Sequence, residues 1–206
     1  MKMLLISGMD FSGKTSVAKK INKVFQDTYL IQHKYLSIDD PLKEIRNSKK
    51  KYPASEWALF WKQIVLSDIS EFNKRCEKGC YNNYDIILQD SLSSFKHLAM
   101  LKADADSTNI NSLAALEEAL QQYPSMDSVF LTASIEERKR RYDMRELSKR
   151  TYSDQLLFSP QFSKVENEYQ KIVLNRFPNT LIIDTSTMSI DGVTGVVLKQ
   201  FFMLEK

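Results

Sequence analysis

Residues 8 to 15 read Gly8-Met9-Asp10-Phe11-Ser12-Gly13-Lys14-Thr15, a G-x-x-x-x-G-K-T run. Two glycines at this spacing allow a backbone path that aims successive N–H groups at one point, which is what a phosphate group needs. A lysine directly after the second glycine places a cation on β- and γ-phosphates, and the threonine offers a hydroxyl to magnesium. The run and its neighbour assign Gly8, Asp10, Phe11, Ser12, Gly13, Lys14, Thr15 and Ser16 to an ATP-binding loop. A short apolar run precedes it (residues 2–7) and a helical pattern follows, the setting that separates a real phosphate loop from a chance match.

Two further groups could share that chemistry. Ile86-Ile87-Leu88-Gln89-Asp90 is an apolar run ending in an acid. An aspartate at the end of a central strand can hold the magnesium shell or touch an acceptor substrate, and it can also be a plain strand-end turn. Residues 135–149 form a basic helical pattern carrying Arg138, Lys139, Arg140, Arg141, Arg145 and Lys149. Arg141 and Arg145 are four apart, so one helix face would present both to phosphoryl oxygens; a solvated basic face is the competing reading.

The elements that must position these groups alternate. Strand patterns at 2–7, 28–33, 85–89, 128–132 and 180–183 are separated by helical patterns at 14–26, 55–77, 113–120, 135–149 and 162–176, with a closing helix at 193–204. That order specifies an α/β fold with a parallel sheet covered by helices on both faces. Ligands in such sheets bind at the carboxyl ends of the strands. The loops at Gly8, Asp39, Asp90, Ala133 and Asp184 are therefore expected to share one cleft.

Composition narrows the class. A length of 206 residues suits one domain, and 43% hydrophobic with 27% charged residues is ordinary for a globular chain. A net charge of +3 does not argue for nucleic-acid binding, and no run is long and apolar enough to span a membrane. Cys76 and Cys80 lack the second ligand pair that zinc needs, so they read as reduced thiols of a cytoplasmic protein.

These elements, in this order, resemble the thymidylate kinase and deoxynucleoside kinase group of P-loop kinases. The resemblance covers nearly the whole chain. Ser7 to Thr15 looks like the thymidylate kinase loop, whose acid at the position of Asp10 lies near the acceptor. Phe130-Leu131-Thr132-Ala133 with Glu136, Arg141 and Arg145 is similar to the family's strand, lid acid and paired arginines; Leu181-Ile182-Ile183-Asp184 resembles its last strand. Phe162, Val165 and Tyr169 fit its helix after the lid. The resemblance implies a three-layer P-loop NTPase fold with a five-stranded parallel sheet, one kinase domain over 1–206, and a helical lid at about 138–160. It also implies ATP and magnesium, a small-molecule acceptor and a homodimer.

The departures bear on the acceptor. Thymidylate kinases have Arg-Glu-Pro where this chain has Asp39-Asp40-Pro41, and Asp-Arg where it has Asp90-Ser91. They have an Asp-Arg pair after a helix phenylalanine; with Phe60 in that place, this chain offers Gln63 and Ile64. The family's acceptor-phosphate arginines are thus missing. Deoxynucleoside kinases carry Glu-Pro at the matching place, so Asp40 would take the proton from an acceptor hydroxyl; a helix cap at 41–47 is the bland alternative. Trp57, Phe60 and Trp61 would stack on a flat acceptor base or fill the core.

The expectation is an ATP-dependent phosphotransferase acting on a nucleoside or nucleoside-like small molecule. Lys14, Arg141 and Arg145 would stabilise the transferred charge, Thr15 and Asp90 would position magnesium, and Asp10, Asp40 and Phe60 would meet the acceptor. Two alternatives stand beside it: a thymidylate kinase with relocated phosphate contacts, and a catalytically degenerate ATP-binding protein that signals to a partner.

Overall fold

The protein is described by a computed structural model over residues 1–32, 35–37, 54–103, 110–145 and 158–202. Five strands form the sheet: β1 (Lys2–Gly8), β2 (Thr28–Ile31), β3 (Ile86–Asp90), β4 (Asp127–Thr132) and β5 (Leu181–Asp184). The helices are α1 (Lys14–Val24), α2 (Ala54–Glu77), α3 (Ser93–Ala103), α4 (Ile110–Leu120), α5 (Ile135–Asp143), α6 (Pro160–Arg176) and α7 (Ile190–Phe201).

The sheet is parallel throughout, in the order β2-β3-β1-β4-β5. Its centre is β1, buried from Met3 to Gly8. Successive side chains of a strand point to opposite faces, and β1 feeds two cores accordingly. Met3 and Leu5 join the core beneath α2, α3, α4 and α6. Leu4 and Ile6 join the core beneath α1 and α7. This is the expected three-layer α/β architecture, and it puts the turn after β1 at the middle of the strand ends.

The expected basic helix over 135–149 stops at Asp143, and Met144 is its C-cap. Arg145 consequently lies past the helix rather than on a shared face with Arg141. One helix was not anticipated. In α3, Ser94, Phe95, Leu98, Ala99 and Leu101 are all buried, so little amphipathic contrast marks it. The motif Asp39-Asp40-Pro41, the expected helix at 41–47 and positions 146–157 of the expected lid lie outside the described residues.

Candidate active site

Gly8 ends β1 at φ 140°, Phe11 takes φ 60° and Gly13 takes φ 95°. At Gly8 the requirement is also steric, since a Cβ would run into the Leu131 carbonyl of β4. Met9 N donates to that carbonyl at 2.9 Å, fixing the loop against the neighbouring strand. From the other side, the buried Tyr169 of α6 hydrogen-bonds Ser7 and the Gly8 backbone. Burial, with Asp10 nearby, pushes its phenol up, so it stays neutral.

The loop leads into α1, whose first turn has no side-chain cap; α5, α6 and α7 are each capped by a serine hydroxyl, from Ser134, Ser159 and Ser189. Uncapped N–H groups and the helix dipole together favour an anion. Ser12 Oγ is buried in the loop with no hydrogen-bond partner among the described residues. Lys14 Nζ donates to Gly8 O at 3.0 Å and Met9 O at 2.7 Å. Burial pulls this ammonium below its ordinary pKa, and Asp10 partly offsets that. The cleft over the loop measures about 860 Å³ and is lined by loop residues 10–17, by Arg141 and Arg145, and by Thr185 and Met188.

Asp90 ends β3 beside this loop and accepts a hydrogen bond from the Thr15 side chain. Burial raises its carboxyl pKa against the pull of Thr15 and Lys14. An oxygen pair of this kind, hydroxyl plus carboxylate beside a phosphate cradle, matches the hard oxygen donors magnesium takes. Ser91 follows at φ 66°, a left-handed conformation unusual for serine, and its N–H returns to Ile6 O at 3.0 Å.

Arg141 spans three elements. Its Nε donates to Glu137 at 2.8 Å, Nη1 to Phe11 O at 3.1 Å and Thr185 Oγ1 at 2.9 Å, and Nη2 to Thr185 O at 2.6 Å. It therefore ties α5 to the phosphate loop and to the turn after β5. Arg145 adds a cation 5.7 Å from the Phe11 ring centre. Phe11 itself stacks on Phe158 and meets Tyr142 edge-on. The acid that holds Arg141 is Glu137, one residue on from Glu136. Its bonds to Arg140 and Arg141 pull it down to about 2.

The surroundings of Asp10 and of the expected acceptor residues are built from scattered positions. Asp10 forms an ion pair with Lys96 of α3 and lies 3.9 Å from Lys14. Burial pushes the Asp10 carboxyl up, but the two lysines outweigh it and hold it below the usual range. Behind this pair, Arg138 and Glu166 form a buried ion pair between α5 and α6 at 2.5 Å. So Arg138, one of the expected basic face, is 2% exposed and structural. Phe60 sits in the core, stacked on Trp57 at 4.9 Å; Trp57 is the partly exposed ring of the set, and Trp61 stacks on His97 at 3.8 Å. Asp68, the polar residue in the apolar stripe of α2, is also buried. It accepts from Leu36 N at 2.9 Å, Ser37 N at 2.7 Å and Tyr123 Oη at 2.9 Å. It thereby anchors residues 35–37, just ahead of Asp39 and Asp40.

The structure thus gathers Gly8, Asp10, Phe11, Ser12, Gly13, Lys14, Thr15, Asp90, Arg141 and Arg145 at the carboxyl ends of β1, β3 and β4. Sequence reasoning missed Lys96, Glu137 and Thr185. Thr185 follows the strand-ending Asp184 and was within reach of the strand-end rule. Lys96 had no signal, because nothing local to α3 points to Asp10.

No family model and no curated protein sequence matches this chain. Solved structures do. A thymidylate kinase from Candida albicans superposes with a TM-score of 0.66 at 19% identity, over 97% of this chain and 90% of that one. Deoxyadenosine kinase from M. mycoides, with dATP bound, gives 0.59 at 14% identity, over 97% and 99%. Thymidylate kinase from Ehrlichia chaffeensis gives 0.58 at 12% identity, over 97% of each. The chain has the thymidylate/deoxynucleoside kinase-like form of the P-loop NTPase fold. Among the described residues, no helix is long and apolar enough to cross a membrane.

Proposed function

We propose that this protein is an ATP-dependent phosphotransferase whose acceptor is an uncharged hydroxyl compound of the nucleoside kind. One observation carries the reading: an uncapped helix N-terminus, a loop with three residues at positive φ, and Lys14 border one cleft, beside a hydroxyl–carboxylate pair formed by Thr15 and Asp90. Likeness to thymidylate and deoxyadenosine kinase structures supports the kinase class.

The loop backbone and Lys14 bind the β- and γ-phosphates, and Arg141 and Arg145 flank them from the lid side. Thr15 and Asp90 are the residues to hold magnesium, which neutralises phosphate charge when bound. An acceptor hydroxyl oxygen attacks the γ-phosphorus, the bond from that phosphorus to the bridging oxygen breaks, and ADP departs with the electron pair. The hydroxyl proton passes to Asp40, proposed as base from its seat before Pro41. Phe60, through its stack with Trp57, backs the place proposed for the acceptor's flat base.

The uncharged acceptor follows from charge. Where thymidylate kinases carry arginines for the acceptor phosphate, this chain has Asp39, Ser91 and Gln63-Ile64, and a phosphate dianion near Asp39 and Asp40 without those cations would be repelled. An ADP-release assay with magnesium, ATP and paired nucleosides and nucleoside monophosphates tests this. Turnover of a nucleoside, absent with its monophosphate, is expected. Turnover of thymidylate would replace this reading with a thymidylate kinase. ATP binding without any product would favour the signalling alternative.

A further inference from the structure

A second cleft lies at the opposite end of the sheet, where β1 and β4 begin. It measures about 420 Å³, within the size range of small-molecule sites, and its walls include Met3, Met126, Ser128, Arg176 and Phe177. Arg176 is the last residue of α6 and is half-buried. Its Nη2 donates to Tyr123 O, and its guanidinium carbon lies 4.9 Å from the centre of the Phe177 ring. These contacts hold the guanidinium in place and leave four of its five N–H donors. Nε is buried with no hydrogen-bond partner among the described residues. Burial lowers the pKa of this group, and no acid among those residues counters the pull. The acid in the wall, Asp127, pairs with Lys2 at 3.1 Å.

Ser128 supplies a second unmet group. Side chains alternate along β4, so Ser128 shares a face with Met126 and Phe130, on the side of the core that Met3 and Phe177 also enter. The residue is 1% exposed, and its Oγ has no hydrogen-bond partner among the described residues. A buried hydroxyl and a buried guanidinium N–H, both unpaired in the wall of one cleft, each carry a desolvation cost that a ligand oxygen would offset.

The ligand chemistry follows from charge and shape. One positive charge in the wall lacks a counter-charge, which suits a single negative charge; a dianion would bring its surplus beside Asp127. A planar guanidinium fork matches the two oxygens of a carboxylate. Met3, Met126 and Phe177 offer apolar contact to the rest of the molecule. We propose that this cleft binds a small organic carboxylate with a compact apolar body, Arg176 and Ser128 donating to its oxygens. The site is remote from the phosphate loop and stands independently of the phosphotransferase reading.

The test titrates benzoate into the full chain and follows the backbone amides by NMR. Benzylamine and phenyl phosphate, which keep the ring and change the charge, are run beside it. Saturable shifts are expected at residues 2–3, 126–128 and 176–179, with a Kd of about 1 mM or tighter, the scale for a ligand of this size. Benzylamine should leave these amides unmoved. Arg176→Lys should weaken benzoate about 10-fold, Ser128→Ala severalfold, and Arg176→Met should abolish the shifts. Shifts that fail to saturate, that centre on residues 8–16, or that survive in Arg176→Met would overturn the proposal. Equal binding of benzylamine would overturn it by showing an apolar pocket without charge selection. Tighter binding of phenyl phosphate would overturn the carboxylate assignment. Should Arg176→Met lose its fold, seen as collapsed dispersion in the same spectra, the other two variants decide: benzoate affinity unchanged in both rejects the site.

Discussion

The two halves of the cleft are built on different principles. The half proposed for the donor is a contiguous stretch, residues 8–16, which offers mainly backbone N–H groups and a helix end. The half proposed for the acceptor is assembled from side chains on α2, α3, α5 and α6, held by polar pairs: the buried Asp68 with Tyr123 and Arg138 with Glu166, and the part-exposed Lys96 with Asp10. A phosphate is recognised by a backbone shape that nine residues can encode. An acceptor is recognised by side chains that only the tertiary fold brings together.

The largest expected effect separates stability from chemistry. Arg138→Met removes one partner of a pair that is 2% and 4% exposed and leaves Glu166 as an uncompensated buried charge. That is expected to cost about 3–5 kcal/mol, seen as a lower denaturant midpoint. Arg138→Met combined with Glu166→Met should recover most of the loss, because a buried ion pair and a packed apolar pair are often near equal. Failure of the double variant to recover would mean that the pair stabilises the α5–α6 contact by more than mutual neutralisation.

Lys14→Met addresses the donor half. The residue belongs to neither hydrophobic core, so the fold should persist while kcat falls by about 100- to 1000-fold, the scale for losing one group aimed at developing charge. An ADP-release assay reads it. A Lys14→Met enzyme within a few fold of wild type would mean that the loop does not position the transferred phosphate, and the contrast between the halves would fail.

That contrast also explains what was legible in the sequence. The five parallel strands and the loop were readable because each is a local pattern: apolar runs buried on both faces, glycines where φ turns positive, a lysine and threonine at fixed offsets. Asp90 was readable as the acid closing a strand. By contrast nothing in the sequence set Lys96 apart, and Arg138 looked like one more cation of the basic helix that carries Arg141 until α6 supplied Glu166. The shortened α5 has the same origin. The basic pattern runs on past Asp143 in sequence, while the helix ends there and Arg145 meets the Phe11 ring from the following turn.

Asp68→Asn sharpens the acceptor half. Leu36 N, Ser37 N and Tyr123 Oη all donate to this carboxylate, and an amide in its place offers one acceptor oxygen and an NH₂ that cannot accept. A loss of about 2 kcal/mol in unfolding free energy is expected. Acceptor KM should rise while ATP affinity holds, since Asp68 anchors residues 35–37 and not the phosphate loop. An equal fall in ATP affinity would show that the two halves are coupled.

The smallest effect compares two serine caps. Ser134 caps α5 by accepting from Glu137 N at 3.2 Å, and Ser159 caps α6 by accepting from Phe162 N at 3.2 Å. Replacing either by alanine should cost about 1 kcal/mol of stability. The functional outcomes should differ. Ser134 also receives Ser186 at its N–H side, where Ser186 Oγ accepts at 2.8 Å, and α5 carries the Arg141 that reaches Phe11 and Thr185. Ser134→Ala is therefore expected to weaken ATP binding severalfold, with Ser159→Ala leaving it unchanged. Acidity should not imitate the first variant. Glu137, held down to about 2 by Arg140 and then Arg141, keeps its charge from neutrality far into acid. Its hold on Arg141 is fully present above the ordinary glutamate pKa and is lost only as pH falls through about 2. An ATP affinity that dropped between pH 7 and pH 5, in step with Ser134→Ala, would point to a different group behind the lid contact.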